Sequence, residues 1–127
     1  MSAQLNHTIV WSRDPEGDAR FLADILSRPP PGRFAHFVVV ALDNGVSLDY
    51  AAHEAGMTSQ HYAFLISEAD FDAVLERIRA GHVDHWADPG RHRPGEINRN
   101  DGGRGVYFTD PSGHFLEVLT RPYGSGG

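Results

Sequence analysis

Four residues of this chain have types and spacing suited to holding a metal ion: His7, Asp49, His61 and Glu117. His7 opens the alternating run Leu5-Asn6-His7-Thr8-Ile9-Val10-Trp11, and His61 opens Gln60-His61-Tyr62-Ala63-Phe64-Leu65-Ile66. A helical pattern follows each run. Later in each half comes Gly-x-x-Leu-acid: Gly45-Val46-Ser47-Leu48-Asp49, then Gly113-His114-Phe115-Leu116-Glu117. The chain is therefore written twice, with an imidazole and a carboxylate at matching places in each copy. Such pairs converge near a pseudo-twofold axis, an arrangement that suits a divalent ion.

Two imidazoles and one carboxylate on one side of an ion leave positions open on the other. Non-haem Fe(II) chemistry uses that arrangement, and Mn, Ni, Co or Zn accept the same donors. Open positions let a small molecule chelate through two adjacent oxygens and be polarised. A carboxylate on a buried strand is costly without a partner, which gives Glu117 a reason to face a cation. Asp49 fits three roles: a fourth ligand, a general base beside the ion, or a solvent-facing strand residue. His36, inside the apolar run Phe34-Ala35-His36-Phe37, either faces the pocket or is ordinary strand. His53, His82, His85 and His92 read as surface histidines.

The elements that must position these residues follow from pattern. On a strand, residues two apart share a face, so His7 goes with Leu5, Ile9 and Trp11, His61 with Ala63 and Leu65, and Glu117 with Phe115 and Leu119. Asp14 caps a helix predicted over 15–27, with Pro15 in the first helical position, where a missing N–H costs nothing. Pro29-Pro30-Pro31-Gly32 ends it. Phe34 to Leu42 and Val46 to Ala52 read as strands joined by the turn Asp43-Asn44-Gly45. In the second half, 59–66 reads as a strand, and Ser67-x-x-Asp70 starts a helix carrying Phe71, Val74, Leu75 and Ile78 that stops at Gly81. A short strand near 83–87 precedes Gly105 to Thr109 and His114 to Thr120, a hairpin joined by Asp110-Pro111-Ser112-Gly113. The tail from Pro122 reads as loose.

The second half is the longer one between its histidine and its acid. The surplus lies in Asp88 to Gly103, dense in Gly, Pro, Arg and Asn, and a loop of this length inside a small domain is usually functional. It is expected to lie over the mouth of the pocket as a lid. Arg91, Arg93, Arg99 and Arg104 belong to it or border it. They form either an anion clamp for a carboxylate, phosphonate or enediolate, or a solvated surface. Arg104 and Arg93, with His36, are the substrate-binding candidates.

At 127 residues the chain can bury a core of its own. Its 17 acidic against 11 basic residues give a formal charge of −6, which argues against nucleic acid or an anionic membrane as partner. With no cysteine, disulfides, thiolate nucleophiles and Cys-type zinc sites are excluded. The opening residues show neither the basic nor the apolar region of a secretory leader, and no apolar run spans a bilayer. A cytoplasmic location is the expectation.

The residues also carry a resemblance. Gly105-Val106-Tyr107-Phe108-Thr109-Asp110-Pro111-Ser112-Gly113-His114-Phe115-Leu116-Glu117 is similar to the Y-F-x-D-P-x-G-H-x-L-E ending of the vicinal oxygen chelate superfamily. That group holds glyoxalase I, the fosfomycin- and bleomycin-resistance proteins and the extradiol dioxygenases. His61-Tyr62-Ala63-Phe64, followed by Glu68-Ala69-Asp70-Phe71-Asp72, resembles the same family's H-x-A-F strand and helix. The resemblance covers nearly the whole chain.

The resemblance implies an α+β fold of two βαβββ modules, about 1–57 and 58–121, forming a half-closed barrel around a metal site, normally as a homodimer. Carried over by position, His7, His61 and Glu117 match the metal ligands, with His7 coming from the same chain or from its partner. Tyr107 matches a pocket tyrosine that contacts substrate or assists proton transfer, so Tyr107 and Asp49 are the catalytic candidates. The pattern departs from each subfamily. Asp49 is shorter than the usual glutamate, and Arg121 is the only nearby cation after Glu117. The implied function is a metal-dependent enzyme acting on a small, anionic-capable substrate. Lyase or isomerase chemistry ranks first, thiol addition to an epoxide second and ring-cleaving oxygenation third. The alternative is a metal-free drug-sequestering protein of the bleomycin-resistance type.

Overall fold

The computed structural model describes residues 1–53 and 55–126. It divides into two compact units, Met1–Thr58 and Ser59–Gly127. Each has the order strand, helix, three strands, so the α+β class and the paired βαβββ plan are as expected.

In the first unit, β1 (His7–Ser12) leads to α1 (Pro15–Ile25), then β2 (Gly32–Phe34), β3 (Phe37–Ala41) and β4 (Ser47–Ala52). The sheet order is β1-β4-β3-β2, with β1 parallel to β4 and the other pairs antiparallel. The Asp14 side chain accepts the Gly17 N–H at 3.1 Å, as a helix cap should. Leu22, Ala19, Ala23 and Ile25 are buried against the sheet face that carries Val10, Leu48, Tyr50, Val38 and Val40. Asp18 is fully buried there, and the Ser12 hydroxyl donates to it.

One strand expectation needs correction. Phe34 to Leu42 is not continuous: the chain reverses at Ala35-His36, between β2 and β3. Ala35 adopts φ 52°, the left-handed region that an alanine enters only at a cost. His36 is therefore an exposed turn residue whose ring lies 4.1 Å from that of Phe37, rather than a strand residue.

In the second unit, β5 (His61–Leu65) leads to α2 (Glu68–Ala80), β6 (His85–Trp86), a single 3₁₀ turn at Asn100–Gly102, β7 (Gly105–Thr109) and β8 (Phe115–Leu119). The order β5-β8-β7-β6 repeats that of the first unit, again with the first strand parallel to the last. Ser67 caps α2 by accepting the Asp70 N–H at 3.1 Å. Phe71, Val74, Leu75 and Ile78 of that helix are buried, as are Phe64, Val106, Phe108, Leu116 and Val118 on one sheet face. No helix among the described residues is long and apolar enough to cross a membrane.

The Asp110–His114 turn explains itself physically. The Asp110 carboxylate accepts the N–H groups of Gly113 at 2.9 Å and His114 at 2.8 Å. Gly113 sits at φ 100°, open to glycine but strained for any other residue. The buried His114 ring then accepts the Gln60 N–H at 2.9 Å, clamping the strand that begins with His61.

Candidate functional site

The strand register makes the two copies equivalent. Asp49 pairs with Ile9, two residues beyond His7, and Glu117 pairs with Ala63, two residues beyond His61. In both units, histidine and acid thus share the sheet face turned away from the helix.

The second unit brings its pair into contact. His61 Nε2 lies 3.1 Å from Glu117 Oε1, with the imidazole half-exposed and the carboxylate 2% exposed. His61 Nδ1 lies 2.8 Å from the Phe115 carbonyl. A carbonyl only accepts, so Nδ1 carries a proton, and in the neutral ring Nε2 presents a lone pair. That lone pair faces a carboxylate oxygen, and two acceptors at this distance need a cation between them, either a proton or a metal ion. A backbone carbonyl behind the far nitrogen is also the usual way an imidazole ligand is oriented. The donor set therefore fits a divalent ion. Among the described residues, no group of three or more His, Cys, Asp or Glu is arranged to hold one.

The first unit places His7, one of the three expected ligands, at the exposed start of β1, its Nδ1 2.8 Å from the Asn6 side-chain oxygen. Asp49 is half-buried and accepts the Ser47 hydroxyl at 2.8 Å.

Two phenols surround Glu117. Tyr107 is its register partner on β7 and is 6% exposed. Tyr123 reaches back from the tail and donates its hydroxyl to Glu117 Oε1 at 2.5 Å. Burial pushes the Tyr107 phenol up, and the Glu117 charge adds to the shift. Burial and the hydrogen bond to Glu117 raise Tyr123 further still. Both therefore stay protonated and serve as donors toward the carboxylate. The tail is not loose: Arg121 bonds Ser125, and the Gly126 N–H reaches Asp101 at 3.3 Å. Sequence reasoning missed Tyr123, because a lone tyrosine among glycines has no periodicity to betray it.

Aromatic rings continue the face. Phe115 and Tyr107 stack at 5.4 Å with 11° between planes, and His61 lies 6.0 Å from Tyr107 and 5.8 Å from Phe115. Trp86, opposite Tyr107 on β6, is 6.0 Å from Phe115.

The loop arginines separate. Arg104 is not an anion clamp over this face. It donates to Glu68 at 2.8 Å and Asp72 at 2.7 Å, and it lies 4.5 Å over the ring of Phe71 on α2. Its two carboxylates satisfy the guanidinium, and both acids are held below their usual range chiefly by hydrogen bonds, Glu68 first from Thr120 and then from Arg104, Asp72 from Arg104. Arg93 pairs with Glu96 at 3.4 Å. Arg91 instead lies 4.8 Å over both Trp86 and Phe115, so the first turn of the long loop rests on the face bearing His61 and Glu117. The loop is also tied into the sheet, through bridges from Pro94 to Trp86 and from Asn98 to Gly105.

Comparison with known proteins gives a consistent family. The model of the Glyoxalase/Bleomycin resistance protein/Dioxygenase superfamily matches residues 4–118. Among solved structures, the chain is similar to Oxidase ChaP-H1, 57% identical with a TM-score of 0.95, covering 97% of this chain and 99% of that one. It is likewise similar to Oxidase ChaP-H2, 58% identical with a TM-score of 0.96, covering 100% of both chains. Metallothiol transferase FosB of Shouchella clausii (strain KSM-K16) is 38% identical over 72 residues, 57% of this chain and 45% of FosB. The match thus spans less than half the length of that curated relative.

Proposed function

Because the chain belongs to the Glyoxalase/Bleomycin resistance protein/Dioxygenase superfamily, we propose that it is a metal-dependent oxidase acting on a small molecule that presents two adjacent oxygens. The observation that carries the oxidative reading is the 57% and 58% identity, over nearly the full length, to two proteins named as oxidases. This reverses the ranking reached from sequence, where lyase chemistry stood first and oxygenation third.

His61 and Glu117 would hold the ion, with His7 of this chain or of a second copy completing the set. A bound divalent ion would supply open positions at which substrate oxygens are polarised. The rest falls to side chains. Tyr107 presents a protonated hydroxyl beside Glu117 and can donate to a substrate oxygen that gains charge. Tyr123 holds the carboxylate, and the ring face of Phe115 and Trp86 keeps water from one side. Asp49 remains the candidate base of the first unit.

The test measures oxygen uptake and product mass after reconstitution with Fe(II), using a panel of ortho-diphenols. Oxygen consumption stoichiometric with an oxidised product, lost on His61→Ala, is the expected result. No oxygen uptake, with fosfomycin and a thiol forming an adduct instead, would place the chain with the transferases.

A homodimer is also expected. Ile9 and Trp11 stand beside His7 on the sheet face away from α1 and are 41% and 40% exposed, apolar surface that a second copy would cover. Light scattering at micromolar concentration should give twice the 14.0 kDa chain mass, and a monomer would contradict this.

A further inference from the structure

We infer that Arg91 is a specificity residue that selects substrates carrying an anionic group, a carboxylate or phosphonate, in addition to the chelating oxygens. The inference rests on the proposed function for its site and adds the substrate class.

The turn that presents Arg91 is built for the purpose. The Asp88 carboxylate accepts the His92 N–H at 3.0 and 2.9 Å and the Arg93 N–H at 2.8 Å, while the Arg91 N–H reaches the Asp88 carbonyl at 3.2 Å. Arg91 itself takes φ 61°, an uncommon conformation for a non-glycine residue. The result is a guanidinium carbon 4.8 Å from the centroid of each of two rings. Those rings belong to the reactive face: Trp86 is the register partner of Tyr107, and Phe115 that of His61. One phenyl ring separates the guanidinium from the imidazole.

A cation–π contact takes up no carboxylate-type hydrogen bond, so the guanidinium keeps N–H donors to offer a ligand. Arg93 and Arg104 have carboxylate partners, whereas Arg91 has none among the described residues. A chain of formal charge −6 repels an anionic ligand at long range, and a fixed cation on this face offsets that repulsion. Arg91 supplies that cation with the planar fork that grips a carboxylate by two parallel bonds.

The experiment compares catechol with protocatechuate, a catechol bearing a carboxylate across the ring, by calorimetric titration of the metal-reconstituted protein. Wild type should bind protocatechuate about tenfold more tightly or better, as expected for a charge-assisted pair. Arg91→Gln should bring the two affinities together while leaving that for catechol unchanged. Arg91→Lys should keep part of the preference, since it retains charge without the fork. Circular dichroism confirms that each variant is folded. Catechol binding with no preference in wild type, or a preference that survives Arg91→Gln, would overturn the role of Arg91 and leave the proposed function standing. Absence of binding by either ligand would overturn both.

Discussion

Replacing His61 with alanine is expected to take bound divalent metal from close to one equivalent per chain to near none. Two features make the effect large. The imidazole is oriented by the Phe115 carbonyl, so its lone pair is already aimed. Its target, Glu117, is 2% exposed and cannot swing out to water to find another arrangement. Loss of the groups behind a metal ligand alone costs about 10–100-fold in affinity, and loss of the ligand itself should exceed that. Elemental analysis of protein purified without an affinity tag reads the result directly. Unchanged metal content in the variant would mean that the ion, if present, sits elsewhere.

Phe108→Ala should produce the largest loss of stability. Phe108 is fully buried on β7, facing away from Tyr107 and Glu117, and is the register partner of His85 and Leu116. Truncating a phenylalanine at such a position removes transfer free energy and leaves a cavity, together about 3–5 kcal/mol. A small domain has only about 5–15 kcal/mol in total. Urea denaturation should show the midpoint falling sharply with the slope preserved. A shift below about 1 kcal/mol would show that the core repacks around the gap.

Much of this was legible in the residues because it is local. Alternation marks β1, β5 and β8, and Asp14-Pro15 and Ser67 mark two helix starts. These signals sit within one strand or one turn of the elements they specify. The duplication located His7 against His61 and Asp49 against Glu117, and the parallel registers bear out that equivalence. What escaped is non-local or unmarked. The turn at Ala35-His36 contains none of the residues that favour reversals, so β2 and β3 read as one strand. Arg104 finds its partners on α2, at Glu68 and Asp72, far away in the chain, and charge counting cannot show which arginine is already satisfied. Tyr123 contributes through one hydroxyl delivered by a tail, a contact that exists only once the fold has formed.

Pairing the first strand of each unit with its last also sets the order of assembly. His61 and Glu117 are 56 positions apart along the chain, and β5 joins β8 only across everything between them. Helix α2 and the β7–β8 hairpin can form from near neighbours, whereas closing β5 on β8 must first meet the entropy of a long loop. During synthesis, His61 is made well before the strand that will carry its partner. The pair therefore exists only after the final pairing, so metal capture is expected to report completed folding of the second unit rather than to nucleate it.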